Sequence, residues 1–146
     1  MIRQRTCSLA PIGRVYIFSI PGADMNTLRT EYSKIAPYVT KDGSQVRELM
    51  HPHVHGNARQ SLAEALVPPG KETLLHRHRI SEEIYHVTGG RGRMTLGDRE
   101  FDIQTGDTIC ILPGTPHRVR NTGAKPLRIL CSCSPPYSHE DTDLCA

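Results

Sequence analysis

The sequence predicts a single all-β domain, either a sandwich or a closed barrel. Three observations point there. Short apolar or alternating segments recur nine times, explicit turn chemistry separates them, and the 146 residues hold 12 Gly and 11 Pro but no Trp. A chain of this length suits one domain with one core.

Residues 1–24 form an atypical, accessory segment. Its start, MIRQRTCSLAPIGRVYIFSIPGA, is basic with a short apolar piece, Val15 to Ile20, but Pro11 and Arg14 interrupt any signal-peptide core and no small-residue cleavage site follows. A secretory signal is therefore not expected, and Met25 is an alternative start. Residues 25–44 read as an N-terminal arm. A short helix over 26–38 would place Leu28, Tyr32 and Ile35 on one side and end at Pro37. Residues 45–134 read as the barrel, with strands over 45–49, 60–67, 73–76, 83–88, 93–96, 100–104, 108–112, 118–121 and 127–133. The turns between them are KDG, PPG, GG, GD, TGD, LPG and NTG, each supplying glycine where the chain must reverse. Gly97-Asp98 between two such segments is a hairpin signal. Residues 135–146, PPYSHEDTDLCA, read as a polar, surface-bound tail.

Charge and cysteine content narrow the partners. The net charge is +3, and Arg3, Arg5 and Arg14 against Asp24 put +2 of it in the first 24 residues. No basic stripe interleaved with aromatics exists, so a nucleic-acid partner is not expected. No run of 18 apolar residues exists, so no membrane-spanning helix is expected either. Five cysteines at irregular spacing (Cys7, Cys110, Cys131, Cys133, Cys145) argue against a secreted disulfide framework and for reduced thiols in the cytoplasm.

The chemistry concentrates in LLHRHRISEEIYHVTGG, residues 74–90. His76 and His78 are two apart, so an extended backbone points both imidazoles to one face. Glu83 follows as a strand begins, and LPGTPHRVRN puts His117 at the start of another strand. Three imidazole nitrogens and one carboxylate oxygen suit a single divalent transition metal: Fe, Mn, Ni, Co, Cu or Zn.

The spacing Gly70-x5-His76-x-His78-x4-Glu83-x6-Gly90 resembles the first signature motif of the cupin superfamily. Gly106-x5-Leu112-Pro113-Gly114-x2-His117-x3-Asn121 resembles the second, with Leu112 where the family usually has Pro. The 15 residues between Gly90 and Gly106 match the short spacer of small single-domain cupins. The resemblance covers about residues 45–133. It implies a jelly-roll barrel, a double-stranded β-helix, with a metal held by His76, His78, Glu83 and His117. Both Glu82 and Glu83 lie at a gap from His78 that occurs in cupins. Glu83 is preferred because it directly precedes an aliphatic residue, Ile84. Glu83, Tyr85 and Val87 then face inward.

Other residues are weighed around this set. Tyr85 and Glu82 are candidate catalytic groups. Cys131, Cys133 and Asn121 are candidate pocket residues, with Asn121 orienting a turn or a ligand's partner. His86 is out of phase and faces the other way. His51, His53 and His55 of HPHVH alternate, yet Pro52 and Gly56-Asn57 mark a loop, so they are read as surface or rim residues. Arg47 and Arg59 could reach a pocket mouth and bind a carboxylate.

The function expected is that of a metal-dependent enzyme acting on a small molecule, with dioxygenase-type chemistry slightly ahead of isomerase, lyase or epimerase chemistry on a sugar or a hydroxy or keto acid. A non-catalytic module that binds or senses a small ligand is the alternative. A homodimer is expected, since an open antiparallel edge invites pairing.

Overall fold

The computed structural model describes residues 28–146. The 1–24 segment, Cys7 and the first two positions of the expected helix lie outside the described residues. Two sheets pack face to face. Strands β1 (Tyr38–Val39), β2 (Gln45–Met50), β3 (Ser61–Val67), β5 (Glu82–Gly89), β8 (Thr108–Ile111) and β10 (Leu127–Ser134) form a six-stranded sheet in the order β1-β2-β3-β10-β5-β8. Strands β4 (His76–His78), β6 (Arg91–Leu96), β7 (Arg99–Gln104), β9 (His117–Asn121) and β11 (Thr142–Leu144) form the second, ordered β11-β4-β9-β6-β7. Every pairing is antiparallel. This is the all-β, two-sheet barrel that the sequence predicts.

Alternation builds the walls. Along β5 every second residue is buried, with Glu83, Tyr85 and Val87 in and Glu82, Ile84 and His86 out. The core joins Val67, Val87, Ile111 and Ile129 of one sheet to Met94, Ile103 and Val119 of the other. Each such side chain contributes roughly 1.5–3 kcal/mol on burial. The turn after β5 needs glycine. Gly90 has φ +86, and a Cβ there would sit 2.8 Å from the Pro126 carbonyl oxygen.

Three expectations are corrected. The 26–38 helix is absent from the described residues, which show a three-residue 3-10 turn at Tyr32–Lys34 with no buried residue. An amphipathic stripe of three apolar residues cannot hold a helix that packs on nothing. The 73–76 strand is displaced to His76–His78, because Thr73 and Leu74 instead make single backbone bonds to Val119 and Asp42. The polar tail is not merely surface-bound. Its Thr142–Leu144 pairs with β4 as β11, and Asp141 and Thr142 are buried. Asp141 holds that crossing by accepting the Ile80 and Ser81 backbone N–H groups at 2.9 and 3.0 Å.

HPHVH is neither strand nor plain loop. Pro52–His55 is one helical turn. Pro52 sits at its first position, where no N–H is needed, and Gly56 closes it at φ 83.

Candidate metal centre

Three strands deliver the ligand atoms. β4 buries His76 and His78 while Arg77 between them faces out. β9 sets His117 directly opposite His76. Glu83 arrives from β5 in the other sheet, flanked by Cys133 and Ile111 on its neighbouring strands. The four donor atoms lie within 4.8 Å of one another, and all four residues are buried. Glu83 Oε2 stands 3.1 Å from His78 Nε2 and 3.2 Å from His117 Nε2.

The far side of each ring fixes which nitrogen faces the centre. His76 Nδ1–H donates to the Leu74 carbonyl at 2.8 Å, and His117 Nδ1–H to the Thr115 carbonyl at 2.9 Å. A carbonyl only accepts, so each ring keeps its proton on Nδ1. His78 Nδ1 meets Thr142 Oγ1 at 3.1 Å. That hydroxyl spends its own proton on the Ser138 carbonyl at 2.8 Å, and so accepts from His78. Each Nε2 therefore faces the centre beside Glu83, free to offer its lone pair to an ion or, on a doubly protonated ring, a proton to the carboxylate.

The arrangement fits a metal ion. His117 is fully buried, and its Nε2 has no hydrogen-bond partner among the described residues, although the Glu83 oxygen is close. A metal–ligand bond of about 2.0–2.2 Å places neighbouring ligand atoms roughly 3 Å apart, which is the spacing of Glu83 Oε2 from His78 Nε2 and His117 Nε2. The electrostatics agree. Burial raises the Glu83 carboxyl, but the facing His117 and His78 rings, when protonated, overcome this and hold it at about 2. Burial also pushes His78 down, yet the Glu83 hydrogen bond and charge carry it net upward. Burial and the neighbouring His117 depress His76. The structure thus holds a site of three histidines and one glutamate that could bind a metal.

A cavity of about 50 Å³ opens beside these four residues. Tyr85, Cys131 and Cys133 line it, as do Asp42, Glu48, Tyr38, Tyr137 and Thr142. Tyr85 packs edge-on against His117 at 5.9 Å. Burial pushes its phenol well up, and the Glu83 charge adds to this. Burial does the same to both thiols, again reinforced by Glu83. Cys133 donates to Glu83 Oε1 at 3.4 Å.

Two candidates fall elsewhere. Glu82 is exposed on the outer face of β5, so it does not meet the cavity. Asn121 is buried but staples a turn: its amide donates to the Val67 and Lys125 carbonyls, each at 2.8 Å, and its oxygen accepts from Gly123. His86 is exposed and bonds Thr108. Arg47 donates to the Ile35 carbonyl and stacks over Tyr32 at 4.9 Å, outside the cavity. His51 Nε2 bonds the Tyr137 carbonyl at 3.0 Å, and His55 Nδ1 accepts the His51 N–H at 2.9 Å. His51 thus ties the helical turn to the C-terminal segment.

Sequence reasoning missed Asp42, Glu48, Tyr38, Tyr137 and Thr142. Asp42 belongs to the KDG turn and was legible only as a turn residue. Its Oδ1 accepts the Ser44 N–H at 3.0 Å and the Ser44 hydroxyl at 2.7 Å, along with the Thr40 hydroxyl. Its Oδ2 lies 4.0 Å from His76 Nδ1.

The cupin-domain family model matches residues 63–133. The chain is 57% identical over 120 residues to the uncharacterized protein MJ1618 of Methanocaldococcus jannaschii, covering 82% of this chain and 96% of that one. Protein SchB of Streptomyces halstedii is 32% identical over 106 residues, covering 69% and 77%. The chain belongs to the cupin family. Among solved structures, this cupin is similar to the polyketide cyclase RemF of Streptomyces resistomycificus, with a TM-score of 0.64, 25% identity, and coverage of 77% and 87%.

Proposed function

We propose that this cupin is a metal-dependent enzyme that moves a proton on a small metal-bound molecule, in the manner of an isomerase, lyase or cyclase, with Asp42 as proton acceptor. One observation carries the choice. Of the acid–base groups the sequence offers for such chemistry, Glu82 faces away and burial keeps Tyr85, Cys131 and Cys133 protonated. The cavity supplies a carboxylate in their place. Asp42 is buried, keeps Oδ2 free of a close partner among the described residues, and its charge acts on His76, His78, Tyr85, Cys131 and Tyr137. The dioxygen chemistry slightly preferred from sequence needs no such group. The printed description of RemF as a polyketide cyclase weighs the same way.

His76, His78, Glu83 and His117 would hold the metal, which would supply a Lewis acid for a substrate oxygen. The chain's own residues do the rest. Tyr85, a phenol with its proton, donates a hydrogen bond to an oxygen gaining charge. Asp42 takes the proton, and the apolar walls of Val46, Ala65 and Ile129 keep bulk water out.

The test compares product formation with and without oxygen over a panel of hydroxy and keto compounds, sugars and thiols. Turnover with Mn or Zn in the absence of oxygen is expected, and Asp42→Asn should lower kcat by about 10²–10⁴-fold with the metal retained. Strict oxygen dependence would return the reading to a dioxygenase. Tight binding of a ligand with no turnover would leave a binding module. The homodimer is likewise proposed, and light scattering at micromolar concentration checks it.

A further inference from the structure

The lining of the cavity carries one charge sign. Asp42, Glu48 and Glu83 contribute carboxylates, and among the described residues no Lys or Arg lines it. Three carboxylates outweigh a divalent ion by one charge. The basic residue nearest in sequence, Arg47, is turned to the opposite face of β2 and engaged with Ile35 and Tyr32.

Glu48 is the unusual member. It shares the parity of buried Val46 on β2, and its register partner on β3 is Ala63, which also lines the cavity. Its Oε2 accepts the Tyr38 hydroxyl at 2.9 Å. Its Oε1 is buried with no partner among the described residues. A buried carboxylate oxygen without a donor is unfavourable unless a ligand supplies one. The surroundings say what kind. Val46, Ala63 and Ala65 give an apolar wall for a short carbon chain, and a carboxylate at its end calls for a cationic donor.

We propose that the cavity takes a small substrate bearing an ammonium group, held by Glu48 through its unpartnered oxygen, and disfavours substrates whose second pole is a carboxylate or phosphate. The inference rests on the metal reading above for the placement of the reacting end. Tyr38 is a positioning residue: its hydroxyl holds Glu48 Oε2 and leaves Oε1 without a donor.

Three probes of equal chain length separate the poles: 4-aminobutan-1-ol, butane-1,4-diol and 4-hydroxybutyrate. Their binding is measured by calorimetry on the zinc-loaded full chain and again on the metal-free chain. The amino alcohol should bind about ten-fold or more tightly than the diol in both forms, with the hydroxy acid weakest. Glu48→Gln should remove the amine advantage, leave the diol unchanged and improve the hydroxy acid. Glu48→Asp, which keeps the charge, should retain part of the advantage and guards against a folding defect. Equal binding of amine and diol, including no binding of either, overturns the proposal, as does an amine advantage that survives Glu48→Gln. Failure of zinc to bind would strike the metal reading instead, and the metal-free comparison would still decide this one.

Discussion

Two runs of this chain alternate histidines in the same way. HPHVH places three imidazoles at every second position, and HRH places two. Only the second delivers them to a centre. The difference lies in the backbone beneath. His76 and His78 occupy a strand, so a two-residue period puts both on the buried face. Pro52 and Gly56 turn the first run into a single helical turn. There the His51 and His53 rings still lie 5.2 Å apart, but the His51 and His55 ring nitrogens are engaged by backbone groups and no carboxylate joins them among the described residues. Alternation specifies convergence only where the chain is extended and one face is covered.

The strongest way to break this contrast is by substitution on both sides of it. His76→Ala with His117→Ala should take bound metal from roughly one equivalent per chain to less than about a tenth, measured by elemental analysis of protein purified without a histidine tag. The triple alanine change at His51, His53 and His55 should leave occupancy near full. Loss of half the metal there would mean that the helical turn also ligates.

The neighbouring glutamates sharpen the contrast within one strand. Glu83→Gln should weaken metal binding about 10–100-fold, whereas Glu82→Gln on the exposed face should change it less than about two-fold. The reverse order would mean that β5 is out of register by one.

A smaller effect is expected from the Thr142 hydroxyl, which holds the His78 ring from behind. Thr142→Val should lower metal affinity about ten-fold while the fold melts cooperatively. An unchanged affinity would show that β4 orients His78 unaided. Smallest of all, Gly56→Ala should destabilise the chain by about 1–2 kcal/mol, since Gly56 has φ 83, with no loss of metal. Denaturant unfolding followed by metal analysis separates the two readouts.

These cases also mark where the sequence is legible. The parity of β5, the HRH pair and the turn glycines are local signals, and residues 82–89 fold as their alternation predicts. Thr142 and Tyr137 carry no such signal. They sit in a polar run whose three-residue strand has no period to read, and their partners are remote: Thr142 is 64 positions from His78. Asp42 and Glu48 were hidden for a different reason. Carboxylates in a turn and on an edge-proximal strand read as solvated unless the partner face is known. Conversely, Glu82 looked functional because it adjoins Glu83, and one step in phase decided otherwise, whereas Asn121 holds a turn, one of the two roles expected of it.

The remoteness of Thr142 has a temporal side. At about 5–20 residues per second of synthesis, the 64 positions between His78 and its hydroxyl partner amount to roughly 3–13 seconds. Throughout that interval β4 has emerged, its outer edge lacks β11, and both its histidines stand without their final neighbour. A nascent chain would meet the metal supply of its surroundings in that half-built form. A ribosome-bound chain stalled short of Thr142 would lack the hydroxyl behind His78, and should release an added metal ion far faster than the full-length protein.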